Sequence, residues 1–186
     1  MGTADSEHPV DRAQHASGRP VERCRVHHYA APVTDQSDVE TVERLISAPP
    51  EVIFDVLTDA SRHRDIDGSG SVRGVKGESK RLTRGSTFGM SMKIGLPYSM
   101  VNTVIEYEEN RRLAWQTRGP SLLGRFVGGR IWRYELEPRD GGTLVRESWD
   151  ISQESPLTKS VVRRGGASTR KNMAATLERI STLVTT

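Results

Sequence analysis

The sequence predicts an α+β domain in which a curved antiparallel sheet of seven strands lies around a long C-terminal helix, with one or two short helices after the first strand. Two patterns carry this prediction. Segments with alternating apolar and polar residues follow one another through the middle of the chain, separated by short polar or glycine-containing turns. From Pro156 onward, apolar residues instead recur every three or four positions, which is the period of an amphipathic helix.

Residues 1–38 are predicted to be a disordered N-terminal tail, and residues 39–186 to be the folded domain. The tail contains three prolines, four of the five histidines and many charges, but no sustained apolar period. Cys24 lies near His27 and His28 in this segment. A closed zinc site needs four ligands held in a tetrahedron, and a flexible tail offers only His8 and His15 in addition to these three residues, so no metal site is predicted. No other cofactor is predicted.

The folded part is expected to begin with a strand and a short helix. Residues 39–46 mix β-branched residues with alternating charges, as a half-buried strand does. The segment that follows predicts a helix over 50–58, with Ser47 as its N-cap and Glu51 close to its positive end. Residues 59–65 suit a further short helical turn.

The middle of the chain is predicted to be a meander of six further strands. Their expected ranges are 71–80, 86–94, 98–108, 111–118, 129–138 and 142–151. The segments between them, such as Glu108-Glu109-Asn110-Arg111, are short and polar, so consecutive strands pair in antiparallel fashion.

The main C-terminal helix is predicted over residues 167–184, since Met173, Leu177, Ile180 and Val184 share one face. The pair Gly165-Gly166 should separate it from a shorter helix over 157–164. At 1.5 Å per residue the main helix is about 27 Å long, which is enough to cover the apolar face of the sheet.

Alternation along the strands decides which side chains point toward the helix. In 98–108 the charges of Glu106 and Glu108 favour an inward Tyr107, although a bulge would reverse part of this assignment. The side chains expected to line a cavity and to bind a ligand there are Phe88, Met90, Met92, Val101, Thr103, Ile105, Trp115, Arg130, Trp132, Tyr134, Glu147, Trp149, Met173 and Leu177.

Glu147 is the unusual member of this set because it shares an apolar inward face with Trp149. A carboxylate without a partner in an apolar cavity either pairs or takes up a proton, so Arg130, Tyr134 or a bound polar group is the expected neighbour. Two interpretations stay open. Glu147 is either a polar anchor for a ligand or half of a structural ion pair near the cavity rim.

Five short motifs follow one another along residues 39–184: Ser47-Ala48-Pro49-Pro50-Glu51-Val52-Ile53-Phe54, Asp67-Gly68-Ser69-Gly70, Arg112-Leu113-Ala114-Trp115, Trp132-Arg133-Tyr134-Glu135-Leu136 and Asn172-Met173-Ala174-Ala175-Thr176-Leu177-Glu178-Arg179-Ile180. With the order of elements, they resemble the START-like (SRPBCC) superfamily, in its polyketide cyclase/dehydrase and lipid-transport branch. The resemblance implies a helix-grip fold with a cavity between sheet and helix. It does not imply a particular reaction.

The folded part lacks a recognisable catalytic motif. It contains no nucleophile elbow, histidine-pair metal motif, phosphate loop or dinucleotide fingerprint. His63 is the only histidine outside the tail, and we expect a solvated or helix-capping side chain rather than a general base. One histidine cannot supply a two-histidine, one-carboxylate iron site, so the oxygenase branch of the superfamily is not expected.

The predicted function is the binding or carriage of a small hydrophobic molecule, such as a lipid or a polyketide-like metabolite. The alternative is a polyketide cyclase or dehydratase in which Tyr107, Tyr134 or Glu147 moves protons. Nucleic acid is not an expected partner, because the net charge of +3 arises from basic residues spread along the chain. The single cysteine and the lack of a long apolar run predict a cytoplasmic protein without a membrane span. A monomer is favoured, but the sequence does not determine the oligomeric state.

Overall fold

The computed structural model describes residues 37–76, 81–120, 122 and 126–185. Within these ranges a sheet of seven antiparallel strands is formed by β1 (Val39–Ile46), β2 (Val72–Lys76), β3 (Thr87–Ile94), β4 (Leu96–Glu108), β5 (Arg112–Arg118), β6 (Gly128–Arg139) and β7 (Gly142–Asp150). The spatial order is β1-β7-β6-β5-β4-β3-β2, so β1 and β2 are the edges. The α+β class and the predicted meander are confirmed.

Four α-helices in the described ranges flank this sheet. Helices α1 (Pro50–Thr58) and α2 (His63–Ile66), with a 3-10 turn at Ala60–Arg62 between them, connect β1 to β2. Helices α3 (Pro156–Arg163) and α4 (Gly166–Thr185) follow β7 and are separated at the predicted glycine pair. The long helix α4 packs against β1, β7, α1 and α2.

The start of α1 differs from the sequence prediction. Pro49, not Ser47, occupies the N-cap position, and no side chain caps this end. The Ser47 prediction is wrong because the chain makes a tight turn first: Ala48 N donates to the Ile46 carbonyl oxygen at 2.8 Å. The hydroxyl of Thr143 on β7 then donates to the Ala48 carbonyl oxygen at 2.8 Å, which holds this turn against the sheet.

A bulge in β4 decides which of its side chains face inward. The pairing with β5 shifts between Val104 and Glu106, so the inner face carries Asn102 and Val104 before the shift and Tyr107 after it. The inward assignments of Val101, Thr103 and Ile105 are therefore wrong, and these side chains are only half-buried. The charges of Glu106 and Glu108 correctly predicted an inward Tyr107. The inserted residue shifts the alternation by one position, so the prediction failed for the residues before it.

The interior beneath α4 is closely packed at one end. Ile53, Phe54 and Leu57 of α1 meet Leu177 and Ile180 of α4 there, and all five side chains are fully buried or nearly so. The sheet contributes Val104, Leu113, Leu136 and Val145. This packing leaves the N-terminal half of α4 to cover the other end of the sheet.

The predicted tail lies outside the described residues up to position 36, as do Cys24 and the tail histidines, so its disorder stays a prediction. The two tail residues that are described, Ser37 and Asp38, lead into β1. The Asp38 carbonyl oxygen accepts from Ile151 N at 2.8 Å, and its carboxylate pairs with Lys159 at 2.7 Å. No helix in the described ranges is both long and apolar enough to cross a membrane.

Candidate functional site

A cavity of about 430 Å³ lies between the sheet and the N-terminal half of α4. Its walls come from α2 and the turn after it, from strands β2 to β7, and from α4. Small-molecule sites usually have volumes of about 300–1,000 Å³ and mostly apolar walls. The size of this cavity is therefore typical of a site for one small organic molecule.

Most of the side chains that the sequence placed at a ligand site do meet at this cavity. Those that line it are Met90, Met92, Trp115, Arg130, Trp132, Tyr134, Glu147, Trp149 and Met173. Phe88 and Leu177 belong instead to the packed core. Leu177 lies one turn beyond Met173 on α4, where the interior is filled, and Phe88 packs edge-on against Trp115 at a ring-centroid distance of 5.8 Å.

Several lining residues were missed by the sequence analysis. On α4 they include Thr169 and Thr176, which share the stripe of Met173 at spacings of four and three. The helical period that marks Met173 and Leu177 as inward also marks these two threonines, but they are polar and do not stand out in an apolar stripe. Asn102 was missed because of the β4 bulge, and His63 because its charged neighbours indicated an exposed turn.

All three tryptophans of the chain line the cavity, and their rings form much of its wall. Trp115, Trp132 and Trp149 are cross-strand partners on β5, β6 and β7, so they make one row across the sheet. The ring centroids of Trp132 and Trp149 are 6.3 Å apart, and those of Trp115 and Tyr134 are 5.5 Å apart. Such a row offers aromatic faces to a bound molecule.

His63 is a buried wall of this cavity, so the prediction of a solvated or capping side chain is wrong. Only 4% of the His63 side chain is exposed, and its ring stacks on that of Trp115 with the ring centroids 5.1 Å apart. Its Nε2 lies 2.8 Å from the Leu57 carbonyl oxygen, which can only accept, so Nε2 carries the proton and Nδ1 a lone pair. Burial lowers the pKa of His63 and favours this neutral form.

Glu147 is enclosed by the cavity wall, with 2% of it exposed. Its Oε1 accepts a hydrogen bond from the Tyr134 hydroxyl at 2.8 Å, and its Oε2 has no partner among the described residues. Burial raises the pKa of Glu147 to about 8, the Tyr134 hydrogen bond opposes this change, and the charge of Asp67 adds to it. The carboxyl group is therefore mostly protonated at neutral pH.

Arg130 lines the cavity but pairs with another residue. Its Nε lies 3.1 Å and its Nη2 3.3 Å from the carboxylate oxygens of Glu154, whose side chain is fully buried. The Thr158 hydroxyl donates to the same carboxylate at 2.7 Å. Glu147 thus forms no ion pair with any described residue, and its interpretation as half of a structural ion pair is wrong.

Asn102 supplies a second buried polar group, with 1% of it exposed. Its Oδ1 accepts from the hydroxyl of its cross-strand partner Thr117 at 2.6 Å. Its Nδ2 has no hydrogen-bond partner in the part of the chain that the structure describes. An unsatisfied buried donor costs about 1–3 kcal/mol, so a ligand oxygen placed there would recover that energy.

The turn after α2 closes one side of the cavity against α4. Gly68 N donates to the Thr176 hydroxyl at 3.0 Å, and a Cβ at position 68 would lie 2.1 Å from the Asn172 carbonyl oxygen. Asp67 holds the turn by accepting from Val72 N at 2.7 Å and from Ser69 N at 3.0 Å. Only glycine allows so close an approach of two backbones.

The arrangement suits binding by shape and hydrogen bonds. Among the described residues, no group of three or more histidine, cysteine or carboxylate side chains is placed to hold a metal ion. The buried polar groups of the cavity wall include a neutral histidine, an amide and a protonated carboxyl bonded to a phenol. These groups donate and accept hydrogen bonds, and the carboxyl can also release a proton.

The sequence of this chain matches a family model and two curated proteins. A family model described as polyketide cyclase/dehydrase and lipid transport matches residues 39–185. Uncharacterized proteins from two strains of Mycobacterium tuberculosis are 34% identical over 107 residues, which is 56% of this chain and 44% of theirs. The chain therefore spans less than half the length of the curated relatives it matches.

Solved structures share the architecture at low sequence identity. A Mesorhizobium loti protein superposes with a TM-score of 0.58 at 19% identity, over 78% of this chain and 96% of its own. The di-domain ARO/CYC StfQ of the steffimycin biosynthetic pathway gives 0.61 at 9% identity, over 77% and 49%. DynU16, a putative protein of the dynemicin biosynthetic locus, gives 0.54 at 14%, over 81% and 48%. At such identities the likeness is one of fold.

Proposed function

The chain belongs to the polyketide cyclase/dehydrase and lipid transport family, and from this premise we propose that it binds or carries a small hydrophobic molecule between the sheet and α4. The ligand is a lipid or a polyketide-like metabolite. The main support is the cavity of about 430 Å³, whose surface is mostly apolar and includes aromatic rings and methionines. We further propose that the lining side chains predicted from the sequence are its ligand contacts.

Two observations favour a functional cavity over a packing defect. Protein interiors are close-packed, with few voids larger than a water molecule, and the other end of this interior follows that rule. The walls at the cavity end are also braced by specific contacts, namely the Gly68 approach to α4 and the pair of Arg130 with Glu154. Specific contacts that hold the walls of an unfilled cavity in place are typical of a binding protein.

A cyclase or dehydratase is the second candidate, and Glu147 is the observation that favours it. A protonated carboxyl in an apolar cavity is a general acid poised near neutral pH, as catalytic carboxyls with raised pKa values are. Tyr134, which donates to it, would stabilise the carboxylate left after proton release. Tyr107 has no such role, since it packs on Phe54 and donates to Glu109 away from the cavity.

A blocking substitution tests the container proposal. Thr169 lines the cavity from α4, whereas its neighbour Ser168 is exposed. We expect Thr169→Trp to abolish binding of a fluorescent apolar probe and Ser168→Trp to leave it unchanged. Native mass spectrometry of the wild-type protein from its own host should show a bound apolar compound. A wild-type protein that carries none and binds no probe would contradict the proposal.

The two candidate functions differ in what Glu147→Gln does. Glutamine keeps the shape of the side chain but cannot deliver the same proton. For a binding protein, a polyketide-like compound should be recovered unchanged from both the wild type and the variant. For a dehydratase, the wild type alone should convert it to a product that has lost water, while both proteins bind it.

A further inference from the structure

Two buried polar atoms without partners, Asn102 Nδ2 on β4 and Glu147 Oε2 on β7, lie on opposite sides of the row of tryptophans. A third, His63 Nδ1, belongs to the ring that stacks on Trp115. Thr117, the partner of Asn102, is four residues from Leu113 on β5, and Leu113 pairs with Tyr134, the partner of Glu147. At about 3.3 Å per residue, the two levels of the sheet are about 13 Å apart along the strands. The row of Trp115, Trp132 and Trp149 lies at the level between them.

We propose that the cavity recognises its ligand at two uncharged points, Asn102 at one end and the Glu147–Tyr134 pair at the other, and so takes an elongated, flat, uncharged molecule with an oxygen at each end. The inference rests on the proposed function and specifies its ligand class. It assigns the aromatic row to the middle of the molecule and excludes a ligand held by an anionic headgroup.

At the Asn102 end, the free group is a donor. The Asn102 Oδ1 is occupied by the Thr117 hydroxyl, which leaves the Nδ2 hydrogens for a carbonyl or ether oxygen of the ligand. Because the amide is 1% exposed, water does not compete freely for those hydrogens. A ligand oxygen here would give the unsatisfied N–H donor its hydrogen bond. A ligand without that oxygen would leave the buried donor unpaired and would therefore bind more weakly.

At the Glu147 end, the free atom is Oε2, since Oε1 accepts from Tyr134. The buried carboxyl has no cation beside it among the described residues, so it is held as the acid and Oε2 can donate its proton to a ligand oxygen. A ligand carboxylate at this end would place a second acid in the same apolar space. An uncharged oxygen fits without that cost.

The charges around the cavity also disfavour an anion. The charge of Arg130 is compensated by the buried carboxylate of Glu154, and His63 is neutral with a proton on Nε2 only. Asp67 adds negative charge to the wall. The described lining thus offers no uncompensated positive group, whereas a site built for a carboxylate or phosphate headgroup needs one.

Three rod-shaped probes test this inference on the full chain: biphenyl carrying acetyl, ethyl or carboxylate groups at both para ends. Binding is followed by the fluorescence of the cavity tryptophans or by calorimetry. We expect Asn102→Leu to weaken the diacetyl probe about tenfold, the value of one lost hydrogen bond, and to leave the diethyl probe within about twofold. The control Thr103→Val, on the other face of β4, should change neither. The dicarboxylate should bind the wild type more weakly than the diacetyl probe.

The outcomes separate this inference from the container proposal. If Asn102→Leu weakens both neutral probes equally, or if the dicarboxylate binds tightest, the inference is overturned while a hydrophobic container remains. If no probe binds the wild type, both fail. If Asn102→Leu does not fold, Thr117→Val is the second variant, because it removes the hydroxyl that orients the Asn102 amide. It should lower the affinity for the diacetyl probe and not for the diethyl probe. An unchanged diacetyl affinity would overturn the inference.

Discussion

Replacing Glu147 by glutamine should make the domain more stable than the wild type by an amount that grows as the pH rises from 5 to 8. In the folded chain the pKa of Glu147 is raised from 4.5 to about 8, chiefly by burial. The unfolded chain releases this proton at its ordinary pKa, so folding near neutral pH requires the carboxylate to take a proton up. Glutamine removes that requirement and keeps an oxygen for the Tyr134 hydroxyl.

The magnitude follows from the gap between the two pKa values. Because the folded-state pKa is the higher one, the contribution of Glu147 to stability is fully present below pH 4.5 and is lost as the pH rises toward 8. Each pH unit in this window corresponds to about 1.4 kcal/mol. The free energy of unfolding of Glu147→Gln should therefore exceed that of the wild type by about 3 kcal/mol more at pH 7 than at pH 4.5. The difference should level off near 5 kcal/mol above pH 8.

Urea unfolding at half-unit steps from about pH 4.5 to about pH 9 measures this difference directly. Glu137→Gln is the matched control, because Glu137 lies on the neighbouring strand with its side chain about half exposed. The control should show no comparable increase over the same range. A difference between Glu147→Gln and the wild type that stays constant with pH would show that the carboxyl is not held as a buried acid.

Three further substitutions test the walls of the cavity. Gly68→Ala should lower the melting temperature and reduce the free energy of unfolding by about 1–3 kcal/mol, because a Cβ there meets the backbone of α4. The control Gly74→Ala, which has open space around it, should change neither. Arg130→Met should cost about 3–5 kcal/mol in urea unfolding, since it leaves the buried Glu154 carboxylate without its cation, and a cost below 1 kcal/mol would contradict the pairing. Because the folded-state pKa of His63 is lowered, the wild type should lose unfolding free energy as the pH falls below 6.5, and His63→Phe should remove that part of the slope; identical profiles would refute it.

Local patterns were enough to predict the elements of the fold. Strand ranges follow from alternation and turn residues, and the observed bounds of the described strands lie within two residues of the predicted ones apart from the segment 77–80, which falls outside the described residues. The break before α4 follows from a glycine pair, whose effect on a helix is local. These features depend on residues close together in the chain.

The candidate site was only partly predictable, for the same reason. Trp115, Trp132 and Trp149 were placed correctly because their pairing is regular, and the irregularity between β5 and β6 lies beyond them, between Gln116 and Arg118. On β4, the bulge at Ile105 reversed the faces, and no residue type there marks an inserted position. Position 63 depended on how the α1–α2 turn folds against β5, which involves residues far apart in sequence.

The sequence by itself determined the order of strands and helices and the apolar character of one sheet face, because backbone preferences and side-chain periodicity act over a few residues. Only the tertiary structure decided that Glu147 meets Tyr134 rather than Arg130, that Asn102 turns inward, and that the interior is packed at one end and open at the other. How deeply a side chain is buried, and which partner it meets, depend on where all the surrounding elements lie. The protonation and hydrogen-bonding state of the cavity is therefore a property of the assembled fold.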